Sequence, residues 1–146
     1  MASNLYQEGI LRIINRNIDI AADTIKVMLV GAGYTPNKDH QFVSDVVASE
    51  LSGTGYTGGF GGSGRKTLAS KAMGKSDSTD KAYIDAADPT WTAINAGTIA
   101  WAVVFKEITN DASSPLIACV DVADIATNGG DVTIQWDATG IVTFAA

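Results

Sequence analysis

Ile25, Val27 and Leu29 alternate with Lys26, Met28 and Val30, a period of two that predicts a β-strand over residues 25–30. Gly31, Gly33, Pro36 and Asn37 then turn the chain. The most apolar run, residues 98–105, follows Gly97 and predicts a strand at the centre of a sheet. Residues 110–115 read as a hairpin connection to a second apolar strand over 116–122. Val132, Ile134 and Trp136 face one way and Thr133 and Gln135 the other, predicting a strand over 132–136. Residues 82–84, 90–92 and 141–144 predict shorter strands, whereas Leu68, Ala69, Ala72 and Met73 are too sparse to define an element.

Helical spacing occurs in two places. Leu5, Ile10, Leu11, Ile13 and Ile14 cluster on roughly one face of a helix predicted over residues 4–15. Gly9 inside it costs about 1 kcal/mol relative to Ala, so an extended N-terminal arm over residues 1–15 is the alternative. Residues 39–51 fit either a short helix, with Asp39 able to cap it, or a β-edge rich in valine. Strands repeating at short spacing predict a mainly β domain over residues 1–146, an antiparallel β-sandwich or open barrel with one or two short helices. Residues 57–65, dominated by glycine, predict a flexible loop that serves as a contact or hinge.

Composition sharpens this picture. The chain has 146 residues, 46% hydrophobic and only 18% charged, which suits one domain with a substantial core. Thirteen of the sixteen acidic residues are Asp, the turn and cap former, which argues against a mainly helical protein. A charge-poor surface is easily desolvated in a protein contact, while the net charge of −6 gives nucleic-acid binding no electrostatic support. Cys119 is the single cysteine and lies in an apolar run, where burial is expected. The N-terminal segment has no basic stretch followed by an apolar one, and no apolar run reaches transmembrane length, so synthesis in the cytoplasm without membrane association is expected.

The motifs that suggest chemistry fall short. Residues 59–67 resemble a phosphate loop, but Arg65 stands where Lys should follow the second glycine, and neither a buried strand before nor a helix after is predicted. Gly31 and Gly33 lack the third glycine of a dinucleotide site. His40, the single histidine, suits a turn hydrogen bond. Asp121, Asp124 and Asn128, or Asp77 and Asp80, would have to converge to hold calcium, and solvated turn carboxylates are the simpler reading. Trp101 and Trp136 read as core anchors, while Trp91, between Thr90 and Thr92, is the tryptophan to check for exposure as a sugar platform. No catalytic residue, metal or cofactor is assigned.

One ordered set of pieces carries a resemblance. It comprises the strand 25–30; the turn of Tyr34, Thr35, Pro36 and Asn37; Asp39 with His40; and Phe42, Asp45 and Val46. Glu50, Gly53, Gly55 and Tyr56 follow, then Asp85, Asp88, Trp91 and Thr92, and finally Ile134, Trp136, Asp137, Gly140 and Ile141. This succession, spanning most of residues 18–141, resembles a family of small structural proteins of tailed bacteriophages, particularly those that decorate or cement the head. The resemblance implies a non-enzymatic protein on the outer capsid surface of the virion. Its partners would be the major capsid protein and further copies of itself, commonly as a trimer. Candidate contacts are Leu5, Tyr6, Ile10 and Arg12 in the N-terminal segment, and Phe60, Arg65 and Lys66 in the glycine loop. A tail- or neck-associated subunit and a carbohydrate-binding β-sandwich module are the alternatives.

Overall fold

The computed structural model describes residues 2–146. In chain order the elements are β1 (Ser3–Leu5), the helix α1 (Gln7–Ile14), β2 (Ile25–Val30), two 3₁₀ turns (Val43–Asp45 and Val47–Ser49), β3 (Lys66–Thr67), β4 (Ala72–Ser76), β5 (Lys81–Asp85), β6 (Thr90–Trp91), β7 (Thr98–Lys106), β8 (Leu116–Ala126), β9 (Val132–Thr133) and β10 (Val142–Ala145). The strands pair antiparallel in a five-stranded sheet of order β1-β8-β7-β2-β3, a three-stranded sheet β10-β5-β4 and a two-stranded sheet β6-β9. The protein is therefore mainly β with antiparallel sheets and a short helix, as expected, and β7 lies at the centre of the large sheet.

Both faces of the middle of the large sheet are buried, so β7 and the first half of β8 read as nearly unbroken apolar runs. Ile25, Val27 and Leu29 of β2, with Ala102 and Val104 of β7, face a core closed by Ile84, Trp91, Ile134, Trp136 and Val142 from the smaller sheets and their connections. Met28, Val30, Val103 and Phe105 face a second core, closed by irregular chain carrying Tyr34, Val43 and Val46. Two register shifts interrupt the β7–β8 ladder. At one, Ile117 is the extra residue between the pairs Val104–Ala118 and Phe105–Leu116. The other lies between Ile99 and Trp101, opposite Ala123 and Asp124, which take φ of 57° and 50°.

From Ser3 onward the N-terminal segment is built into the fold as a strand and a helix, so the alternative of an extended arm over residues 1–15 does not hold for these residues, while Met1 lies outside the described residues. Ser3, Asn4 and Leu5 pair with Val120, Cys119 and Ala118, and the Tyr6 amide donates to Ile117 O at 3.1 Å. The helix consequently starts at Gln7, not at residue 4. Gly9 faces β8 so closely that a Cβ would lie 2.4 Å from Leu116 O and 2.9 Å from Ile117 Cα. Its lack of a side chain, priced above as a defect, is what lets α1 sit on the bulged strand.

Residues 39–51 form neither a helix nor a full edge strand. They make the two 3₁₀ turns between isolated bridges of Phe42 to Pro115 and of Val30 to Glu50, while Asp45 Oδ2 accepts from the amides of Gln41 and Phe42. The strand predicted over 132–136 is short. Beyond Thr133, the Trp136 amide donates to the Asp88 carboxylate at 2.9 Å, which ends the ladder. No helix among the described residues is long and apolar enough to cross a membrane.

Candidate functional site

The glycine loop is anchored by charge. Gly53 and Tyr56 exchange backbone hydrogen bonds in a tight turn, and the Gly64 amide closes the loop onto Thr57 O at 2.9 Å. At Gly64 a Cβ would meet the Tyr56 ring at 2.6 Å, so glycine here serves close packing. Arg65 then turns inward. Its Nε and Nη2 donate to Glu50 Oε1 and Oε2 at 2.9 and 2.7 Å, and its Nη1 and Nη2 to Asp111 Oδ1 and Oδ2 at 2.6 and 3.1 Å.

Two carboxylates thus grip one guanidinium, which lies 5.5 Å from the Phe105 ring centroid. Glu50 also accepts from the Tyr56 hydroxyl at 3.0 Å and the Gly59 amide at 3.0 Å, and the Tyr56 oxygen in turn accepts from the Leu29 amide of β2. Burial acts to lower the Arg65 pKa, but the hydrogen bonds and charges of Glu50 and Asp111 outweigh it and hold the group above its ordinary value. Burial, with the Glu50 charge, raises the Tyr56 pKa.

The N-terminal end is anchored by neutral hydroxyls. Tyr6 is buried, and its hydroxyl meets the Tyr34 hydroxyl at 2.9 Å, which meets His40 Nδ1 at 3.0 Å. This relay uses His40 in a turn, as its sequence context suggested. Burial raises both phenols, most strongly Tyr6, and pushes the neighbouring Cys119 thiol up to about 12. A thiol so held is a packing group.

These placements revise the candidate contact set. Tyr6 and Arg65 are withdrawn from it: both are buried with their polar atoms satisfied, Tyr6 because β1 and the relay hold it, Arg65 because two carboxylates do. Leu5 packs partly against the first core. Ile10 is half-buried on α1, and Arg12 pairs with Glu8 at 2.8 Å and lies 5.3 Å from the Phe42 ring centroid. Lys66, in β3, is half-buried. Phe60 is 47% exposed at the loop tip. The two groups of candidates are not brought together. Leu5 and Lys66 lie on opposite edges of the large sheet, four strand spacings or about 19 Å apart.

The sequence reading missed other exposed apolar residues. Leu11 and Ile14, which the spacing placed on one helical face with Leu5, Ile10 and Ile13, are 54% and 72% exposed on the outer side of the helix. Met73 and Ile108 are also exposed. The only usable signal was the helix's apolar stripe, too wide to bury against one strand.

The remaining motifs resolve structurally. The phosphate-loop likeness ends with the Arg65 guanidinium already occupied and β3 following it. Trp91, singled out for exposure, is buried, and its Nε1 donates to Gly64 O at 2.6 Å. Trp136 is likewise buried, with its Nε1 on Ala87 O. Asp121 and Asn128 cap turns through the Ala123 and Gly130 amides, and no group of three or more His, Cys, Asp or Glu among the described residues could hold a metal ion. Compared with protein-family models, with curated proteins and with solved structures, this chain finds no match in any of the three.

Proposed function

We propose that this chain is a non-enzymatic structural subunit of a tailed-phage particle, and specifically a decoration protein that binds the outer surface of the major capsid shell and braces it. The observation that carries this reading is the outer side of α1. Leu11 and Ile14 stand exposed on a helix that is clamped to β8 through Gly9 and therefore cannot roll to hide them. Large aliphatic side chains held rigidly in water are poised for a partner, and their ordering entropy is already spent.

The charge-poor, acidic composition and the order of sequence pieces resembling head-decoration proteins support the same reading. Binding at many equivalent positions on an expanded shell stabilises that shell by mass action. Self-association into a trimer, also implied by the resemblance, is read out by sedimentation of the free protein.

The test is quantitative mass spectrometry of purified particles, scaled to the major capsid protein. Copy numbers near that of the capsid protein support decoration. A handful of copies per particle indicates a neck or tail subunit, and absence from particles overturns the virion reading.

A further inference from the structure

The outer face of the three-stranded sheet is concave, and its lining has a definite chemistry. Lys81, Tyr83 and Asp85 alternate along β5 and share its outward side, while Ile84 between them enters the core. The antiparallel registers put Gly74 of β4 and Thr143 of β10 on either side of Tyr83. Lys81, Tyr83, Asp85 and Thr143, with Thr79 and the chain around Gly140, line a hollow of about 280 Å³, near the size of small-molecule sites.

Gly74 decides how the Tyr83 ring lies. A Cβ there would stand 2.5 Å from Tyr83 Oη and 2.7 Å from Cζ, so the phenol lies across the glycine, with one side against the sheet and the ring lining the hollow. Gly140, at φ 110°, keeps the neighbouring wall low, since a Cβ there would come within 3.2 Å of Tyr83 Cβ. Along the strand the row from Lys81 to Asp85 extends about 13 Å, enough for a short chain of linked rings.

The polar groups in this hollow have unused capacity. Asp85 stands at the boundary between the hollow and the core: its carboxylate lines the hollow, while its Oδ1 is buried without a hydrogen-bond donor, so a turn of the carboxylate toward a ligand hydroxyl would give that oxygen a partner. Thr143 and Thr79 offer hydroxyls that both donate and accept, and Lys81 offers an ammonium at the far end. An aromatic surface flanked by paired donors and acceptors matches a ligand that has an apolar C–H face and a rim of hydroxyls.

We infer that this hollow is a saccharide-binding site, with Tyr83 as the surface on which a sugar ring stacks and Asp85 and Lys81 as hydrogen-bonding groups at its two ends. The site is separate from the buried tryptophans and does not depend on the capsid reading. It would give a virion-borne or free protein affinity for glycans.

The test is a printed array of bacterial and animal glycans probed with the wild-type protein, Tyr83→Ala, Gly74→Ala and Asp85→Asn. The best-bound oligosaccharide is then titrated into ¹⁵N-labelled protein. Expected are saturable shifts centred on the amides of Gly74, Tyr83, Gly140 and Thr143, with affinity at least tenfold weaker in Tyr83→Ala. Gly74→Ala, which keeps the ring but displaces it, should weaken binding comparably while preserving the fold, so that misfolding of Tyr83→Ala leaves the question decidable. An array on which the wild type binds nothing beyond what these variants bind overturns the site. Shifts that map elsewhere on the protein overturn it equally.

Discussion

The two faces of the large sheet are buried by different means. On one side the cover is made largely of short strands, and the core beneath is aliphatic apart from Tyr56, whose hydroxyl bonds Glu50 and the Leu29 amide, and two tryptophans tethered by their indole N–H groups. The ladders of the covering strands satisfy much of their own backbone, so the side chains are free to be apolar. On the other side the cover is irregular chain, and there the polar anchors gather: the Arg65 cluster against Phe105, the Tyr6–Tyr34–His40 relay and the Asp45 cap. Irregular backbone supplies no ladder, so side chains must fix its position. The comparison teaches that a sheet face under a regular lid is closed mainly by apolar packing with few polar tethers, while the face under irregular chain gathers charged and hydroxyl anchors.

The largest expected effect breaks the irregular side. Arg65→Met leaves Glu50, whose side chain is 3% exposed, as a buried carboxylate without its cation, and should cost about 3–5 kcal/mol by chemical denaturation. Adding Glu50→Gln should recover part of that loss, a non-additivity that isolates the pair. If Arg65→Met costs under about 1 kcal/mol, the ionic cluster is not what holds this lid. On the strand side, Ile134→Ala should cost about 2–5 kcal/mol through transfer and cavity terms, with no change in pH dependence.

Tyr34→Phe sharpens the contrast at intermediate size. It removes the hydroxyl between Tyr6 and His40, leaves the buried Tyr6 hydroxyl without that partner, and should cost about 1–3 kcal/mol in the same assay. Smaller still is the acid limb. The Lys106 hydrogen bond holds the Asp23 carboxyl below its ordinary 3.8, and the Phe42 amide does the same for Asp45. Folded values lying below unfolded ones mean that this stability is whole above about pH 4 and is lost as pH falls through the folded values. Melting temperature measured by circular dichroism should therefore decline below about pH 4, with a modest slope because both groups are partly in water.

The smallest effect on stability accompanies the largest on attachment. The double change Leu11→Ser and Ile14→Ser should alter folding by no more than about 0.5 kcal/mol per site and, under the decoration role we propose, weaken binding to purified heads by at least tenfold. Heads that saturate at wild-type concentrations of this variant would remove α1 from the contact.

The difference between the two faces also explains what the sequence could reveal. β2, β7 and β8 were legible because strands buried on both sides are written as apolar runs, and the mainly β class followed from them and from Asp-rich turns. The true start of α1 was not legible, because the pairing of residues 3–5 with β8 depends on partners more than a hundred residues away. Arg65 read as a surface cation because its two carboxylates lie 15 and 46 positions off in sequence. The exposure of Leu11 and Ile14 was not legible because periodicity shows that a stripe exists, while the breadth of the strand receiving it decides how much is buried. Exposed Phe60 and buried Trp91 make the same point, since both sit among small residues and only the tertiary neighbours distinguish them.

Cys119 has a practical consequence. It is the chain's single thiol, fully buried in the second core with Tyr6, on a strand whose edge β1 covers, and held in its protonated form by burial. A disulfide reagent in solution can reach it only when β8 is uncovered, so the rate of thiol modification is a clock for opening of the molecule. Run on the free protein and on protein mixed with the heads proposed as its target, that clock would report whether attachment slows the opening, without any label being introduced.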